Sequence, residues 1–489
     1  MRLAPQVALL GGLASTASAC SMAPEYSKPV VPVASDFEAE GPWRAARPAD
    51  QLPVEAWWSL YEDAVLSDLQ DRLLDHNATL EAAFHSYLRS DAYLDRAESG
   101  FYPEITAEAD GYRNKQSENR ALRGPNVPTY YTDLQLGARL SYELDLWGRV
   151  RDTVNAEAAE AEASLADLGA VRLNLTARLT QTYVRLRGYD LRIELLERSV
   201  GAYEKALDLT QARKDGGISS GLDVSRAKTQ LSVTRARLAR MQSERALLEN
   251  AIAELVGDSA IGFRVEPKVE LPVLPTIPMG LPSELLERRP DIAAAERRTR
   301  AANARVGVAR TAFFPQITLG LAGGFESQDI TNLFSLPSLF WSIGTTLVQT
   351  VFDGGKRKAE VDAAEALLAE QGARYRGVVL AAFREVEDSV ALLEWLGDAQ
   401  DAQSEAAASA AETLDLSTSR YREGAVSYLD VVIAQTSALE TEMTRLAIQT
   451  QRLEASVQLI RALGGGWSAS TDDPEAIADG DVQPSPAEG

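Results

Sequence analysis

Few residues in this 489-residue chain are of the types that perform covalent or metal chemistry, and their placement limits what the chain can do. His76 and His85 are the only histidines, and a separation of nine residues does not bring them to one helix face as zinc ligands. No nucleophile elbow, P-loop or cysteine pair is present. Gly354 and Gly355, ahead of Lys356, fit a strand-to-helix turn better than a phosphate cradle. An enzyme is not expected, nor a metal or other cofactor. The single cysteine, Cys20, excludes an intramolecular disulfide. It follows Arg2, an apolar run through Leu10, and the small residues Ala17, Ser18 and Ala19. This reads as a signal peptide over 1–19 with lipidation at Cys20 as the new N-terminus. Ala17 stands where a bacterial lipobox usually has leucine. The alternative is a plain signal peptide with an incidental cysteine, in a chain that otherwise avoids cysteine altogether. Ser21 after the cysteine, rather than aspartate, resembles outer-membrane sorting signals.

The elements that position these residues are unusually long. From Leu134 to Leu146 apolar residues alternate without a break against Asp133, Gln135, Gly137, Arg139, Ser141, Glu143 and Asp145, the period of a two-faced strand. About nine to eleven tilted residues cross a bilayer, whereas about five or six are usual in a globular sheet. From Gly148 to Arg213 the chain has no proline and takes helical spacing, giving a helix on the order of 100 Å long. Asp215–Gly221 breaks it, and Val224, Ala227, Leu231, Leu238, Met241, Leu248, Ile252 and Leu255 then form a coiled-coil seam. The pattern repeats. Phe101, Pro103 and Thr106 recur 212 residues later as Phe313, Pro315 and Thr318, and Gly217, Leu222 and Asp223 recur 207 residues later as Gly424, Leu429 and Asp430.

The expected organisation follows from this duplication. A lipidated tether (20–56) leads to a first repeat (57–262) holding one long helix over Asp63–Glu98, a β-hairpin at about 103–146 and a helical hairpin at about 148–257. A proline-rich linker (263–282) leads to a second repeat (283–466), with its β-hairpin at about 316–352 and helical hairpin at about 356–463. A disordered acidic tail (467–489) ends the chain. Four membrane-length strands cannot close a barrel, because open edges in lipid leave backbone groups unpaired and small barrels begin at about eight strands. The chain, an α+β membrane protein, must therefore oligomerise; a homotrimer would give a 12-stranded transmembrane β-barrel continued by a 12-helix α-helical barrel, the product being a tube. With 71 acidic and 49 basic residues the net charge is −22, which argues against nucleic acid and predicts an electronegative lumen.

SYELDLWGRVR (141–151), LERRPDIAAAE (286–296), FDGGKRKAEV (352–361), AFREVEDSV (382–390) and RYREGAVSYLDV (420–431) resemble signatures of the outer-membrane factor family. Cys20, Pro24, Tyr26 and Pro29 resemble its lipoprotein, NodT-like branch. The resemblance implies a lipid-anchored duct in the outer membrane that extends into the periplasm, receiving small molecules from an inner-membrane efflux pump through a periplasmic adaptor. The alternatives are a duct for type I protein secretion and a pore-less periplasmic coiled-coil scaffold. By the same resemblance, Asp430, Asp223 and Tyr421 are gate residues at the periplasmic end. Gly217, Ile218, Ser219 and Ser220, with Gly424, Ala425, Val426 and Ser427, are tip sequences that dock the adaptor. Three symmetry copies of one gate carboxylate around a narrow pore would raise its pKa. Val426 stands where some members carry a gate arginine, and Ile433 where some carry a second aspartate; the bland role for Asp430 is a helix cap.

Overall fold

The computed structural model describes residues 21–31, 44–45, 56–121, 128–279 and 289–465. The expected signal peptide, Cys20, the tail over 467–489 and most of the tether lie outside them. No described helix is long and apolar enough to cross a membrane. The chain divides into two compact units.

The first unit contains Tyr87–Ser164 and Ala295–Tyr375 with the N-terminal segment. Its centre is an antiparallel sheet of strands β1 (Glu104–Lys115), β2 (Tyr130–Glu143), β3 (Gln316–Ser327) and β4 (Leu339–Val348), in that order. Alternation puts every second side chain on one face, and the register aligns these positions across all four strands. Ile105, Leu140, Leu321 and Ile343 form one row; Ala107, Ala138, Gly323 and Trp341 form the next on the same face. The row between them, Thr106, Arg139, Ala322 and Ser342, lies on the opposite face. The apolar face is not covered by the described residues: Ile105 is 69% exposed, Ile343 62% and Trp341 75%. Among the described residues β1 and β4 each pair along one side only.

Both second strands end earlier than alternation suggests. The run expected to reach Leu146 stops at Glu143, because the Asp145 carboxylate accepts from the N–H groups of Val150 and Arg151 and caps the helix that follows. The strand expected to reach Phe352 stops at Val348, and Asp353 accepts from the N–H groups of Gly355 and Arg357 in the same manner. Residues 21–29 run without regular secondary structure and pack in this unit. Ser21 Oγ donates to Asp152 Oδ1 at 2.7 Å, Asn303 Nδ2 to the Pro24 carbonyl at 2.9 Å, and the Tyr26 hydroxyl to Glu296 Oε1 at 2.7 Å.

The described residues also hold seven α-helices: α1 (Ala64–His76), α2 (Ala78–Glu98), α3 (Arg149–Asp215), α4 (Gly221–Leu255), α5 (Pro290–Thr311), α6 (Lys356–Arg422) and α7 (Tyr428–Ala462). The two halves match in length, with α3 and α6 of 67 residues each and α4 and α7 of 35. The second unit contains Val30–Ser86, Leu165–Ala294 and the chain from Arg376 onward. Within it the helix expected over Asp63–Glu98 is broken into α1 and α2 at Asn77, whose ψ of 113° is extended. The break is useful chemically. Asn77 Oδ1 accepts from the N–H groups of Thr79 and Leu80, while its Nδ2 donates at 2.8 Å to the carbonyl of Leu255, the last residue of α4. One amide thus serves the positive end of α2 and the negative end of α4. Gly257, at φ 71°, lets the chain leave this joint, since a Cβ there would overlap the His76 carbonyl.

The duplication reproduces the joint with other residues. Arg289 lies 212 residues after Asn77, and Ala462 lies 207 after Leu255. Arg289 Nη1 donates to the Ala462 carbonyl at 3.1 Å and to Glu385 at 2.9 Å, while its Nε and Nη2 clamp Asp291 at 3.0 and 2.6 Å. The linker is pinned as well. Asp190, fully buried, accepts from Arg187, Arg245 and the Lys268 N–H, and Glu249 accepts from the Val265 N–H at 2.7 Å. Asn77→Ala removes a cap and leaves the buried Leu255 carbonyl unpaired, at a cost of about 1–3 kcal/mol. Denaturant titration of helical circular dichroism in detergent should show this loss, with Asn77→Asp, which keeps the cap but not the donor, falling between.

Candidate functional site

The residues singled out by resemblance lie at the ends of the two helical hairpins, where the local sequence builds each tip in the same way. At the end of α3 the Ile218 N–H donates to the Arg213 carbonyl at 2.8 Å, and at the end of α6 the Ala425 N–H donates to the Arg420 carbonyl at 2.8 Å. Both close the last helical turn over a residue in the left-handed region, Gly217 at φ 77° and Gly424 at φ 82°. A Cβ on either glycine would meet no atom within 4 Å, so backbone conformation rather than crowding selects glycine there. Ile218 is 76% exposed. Gly217, Ser220, Gly424, Ala425 and Ser427 are exposed as well, while Ser219 and Val426 are half-buried.

Each return helix then starts with a capping box. The Ser220 N–H and hydroxyl donate to Asp223 Oδ2, and the Asp223 N–H donates back to Ser220 Oγ at 3.3 Å. The Ser427 N–H and hydroxyl donate to Asp430 Oδ2 at 3.0 and 2.7 Å. The bond from the Ser427 hydroxyl, followed by that from its N–H, holds the Asp430 carboxyl below the usual carboxylate range. For Asp223, desolvation alone would raise the pKa, but the Ser220 N–H, the Ser219 and Ser220 hydroxyls and Arg226 outweigh it and leave it lowered. In the single chain both groups are thus bonded as anions, whereas the raised pKa expected above belongs to three copies brought together around a pore. The structure does not bring Asp223 and Asp430 together; each bonds within its own tip.

Tyr421 does join the two tips. It is buried with Ala227, Tyr428 and Val431, and Ala206, Leu207, Val426 and Val432 pack on that cluster. The Tyr421 and Tyr428 rings lie 5.3 Å apart at 58°. Burial, foremost, pushes the Tyr428 hydroxyl up to about 12. Val426 is therefore a packing residue where the resemblance placed an arginine in some members, and Ile433 is 59% exposed. The cation at this junction is instead Arg213, which the sequence reading missed. Its Nη1 donates to the Tyr421 carbonyl at 2.8 Å, its Nη2 to the Arg422 carbonyl at 3.2 Å, and its guanidinium stands 4.7 Å from the Tyr421 ring centre. These carbonyls are at the last turn of α6, the negative end of a long helix, where a cation is favoured. A basic residue recurring in the last turn of both long helices, Arg213 and Arg420, was the available signal.

A family model described as Outer membrane efflux protein matches residues 69–258 and 281–465. The chain is 35% identical over 458 residues to the outer membrane protein OprJ of Pseudomonas aeruginosa, covering 93% of this chain and 95% of the relative. It is 32% identical over 462 residues to the solvent efflux pump outer membrane protein SrpC of Pseudomonas putida, covering 92% and 96%. The solved structure of the outer-membrane channel OprN superposes with a TM-score of 0.85 at 28% identity, over 92% of this chain and 100% of that one.

A depressed carboxylate contributes stability that is fully present above its unfolded pKa and is lost as pH falls through its folded value. Protection factors for amides 429–432, corrected for intrinsic exchange, should therefore match at pH 7 and pH 5 and fall only at or below the ordinary carboxylate range. Ser427→Ala should lower them several-fold at pH 7.

Proposed function

The chain belongs to the outer membrane efflux protein family and is an outer-membrane channel component of an efflux system, and we propose that it works as a trimeric, passive exit duct. The observation that carries the trimer is the sheet: four strands of 10 to 14 residues with one continuous apolar face and two outer edges that pair with no other strand among the described residues. In hydrocarbon those edges need partners, and three copies related by a three-fold axis supply them as a 12-stranded barrel. The apolar face then meets lipid and the face bearing Thr106, Arg139 and Ser342 lines the lumen. The two helical hairpins of each protomer likewise make a 12-helix barrel, and the apolar side chains left exposed on α6, including Leu380, Leu392 and Trp395, are covered by a neighbouring copy.

Lipid on Cys20 anchors the packed segment that begins at Ser21. The hairpin tips form the periplasmic end, where the exposed turns 217–220 and 424–427 dock a periplasmic adaptor that joins the duct to an inner-membrane pump. Three copies each of Asp223 and Asp430 make that end a cation-attracting constriction, and the helix caps keep these carboxylates ionised. The name of SrpC, a solvent efflux component, favours small molecules over secreted protein as cargo.

The test is single-channel recording of detergent-purified protein in a planar bilayer under a salt gradient. A small, cation-selective conductance is expected, and Asp430→Ala should enlarge it or shift the reversal potential toward zero. Absence of conductance from a folded oligomer would remove the duct reading.

A further inference from the structure

At the end of the sheet away from the helices, two loops stand at equivalent places in the duplication, 116–129 between β1 and β2 and 328–338 between β3 and β4. They are chemically unlike. The first carries Glu118, Arg120 and Arg123, whereas the second carries one charge, Asp329, beside Ile330, Leu333, Phe334 and Leu336. Leu333 is buried, but Ile330, Phe334 and Leu336 are exposed, the last by 84%. The polar groups of the same loop bond one another. The Asp329 carbonyl accepts from the Ser327 hydroxyl at 2.9 Å and the Asn332 N–H at 3.2 Å. The Asn332 carbonyl accepts from the Ser335 N–H at 3.0 Å, the Ser335 hydroxyl at 2.7 Å and the Ser338 hydroxyl at 2.8 Å. Exposed apolar side chains beside polar groups already paired cost little to take out of water. One ring contact fixes the side to which the loop leans. Ala109, Leu136, Phe325 and Leu339 form a further row on the apolar face of the sheet. The Phe334 ring stands against Phe325, with centres 5.7 Å apart at 65°. Phe334 thus carries the loop onto that face, away from the side bearing Thr106, Arg139 and Ser342.

We propose that the 328–338 loop is a membrane contact, which seats Ile330, Phe334 and Leu336 among the acyl chains at the outer surface of the bilayer. The inference rests on the reading above that the apolar face of the sheet meets lipid, and extends that contact beyond the strands. Acyl chains are the fitting occupant for two reasons. Through Phe334 on Phe325 the loop is continuous with the apolar face, so a lipid layer against the one reaches the other. A protein partner would be fixed by hydrogen bonds at the rim of its contact, and the carbonyls of Asp329 and Asn332, with the serine hydroxyls, are already engaged within the loop. The short turns keep their own backbone bonds, as a segment at the acyl boundary must.

Spin-label accessibility tests this. A nitroxide is attached to Ile330→Cys, Leu336→Cys, Asn119→Cys or Ile343→Cys in the full chain, with the parent chain as control for Cys20. Each protein is reconstituted into vesicles of phosphatidylcholine and phosphatidylglycerol. Collision with oxygen, which dissolves among acyl chains, is compared with collision with a water-soluble nickel chelate. Asn119, exposed in the polar loop, is the aqueous reference, and Ile343, exposed on the apolar face, is the lipid reference. The oxygen-to-nickel ratio at 330 and 336 should lie close to that at 343 and several-fold above that at 119. Nickel-dominated values at 330 and 336 beside an oxygen-dominated 343 would overturn the loop proposal alone, placing the loop in water. Poor collision with both reagents at 330 and 336 would overturn it too, since a second copy of the chain or another protein would then cover the loop. A nickel-dominated 343 would instead remove the lipid-facing reading of the sheet, and the loop proposal with it.

Discussion

The constraint on which the rest depends is the pairing of backbone groups at the edges of a four-stranded sheet. A strand of the length of β1 or β4 carries a row of N–H and C=O groups along its outer side, and each one left unpaired in hydrocarbon costs several kcal/mol. Nothing in the described chain covers these rows. The apolar face makes the same demand from another direction, since Trp341, Ile343 and Ile105 stand in the open on a single chain. Lipid satisfies the face, and only another strand satisfies an edge. The proposed trimer answers this demand of the hydrogen bonding in one protomer, and in it the long helices that continue from β2 and β4 share the three-fold axis.

Long helices create a second demand, at their ends. The final carbonyls of α4 and α7 would be orphaned inside the protein if those helices simply stopped. The duplication meets this at equivalent places with unlike residues. An asparagine amide serves the Leu255 carbonyl, whereas an arginine held by Asp291 and Glu385 serves that of Ala462. The geometry has been kept and the chemistry has diverged, because the position requires a buried donor rather than a particular residue. The linker is fixed by similar means: the buried carboxylates of Asp190 and Glu249 each accept from a linker N–H. A segment that composition marks as a connector is a pinned part of the second unit.

At the tips, the carboxylates expected to repel across a pore are first of all helix caps. The two roles are compatible, because the serine hydroxyl and N–H that hold Asp430 as an anion also preserve the charge that a cation-attracting constriction needs. Tyr421, by contrast, acts through packing and through Arg213, which converts the negative end of α6 into an attachment point for the other hairpin.

Periodicity in the sequence alone determined the four two-faced strands, the two long helical hairpins and their duplication. These are properties of neighbouring residues: alternation of apolar and polar side chains sets a face, and the absence of proline lets a helix continue. The tip turns were legible for the same reason, since a glycine followed by serine and aspartate is a local signal. Tertiary structure alone decided where strands yield to caps at Asp145 and Asp353, that a helix breaks at Asn77, and that Arg213 rather than residue 426 joins the tips. In the last two cases the deciding partner, the Leu255 carbonyl for Asn77 and the Tyr421 carbonyl for Arg213, lies 178 and 208 residues away. A pattern confined to a few helical turns carries no record of such a partner. Long-range hydrogen bonds form only once packing has set the ends of distant elements side by side.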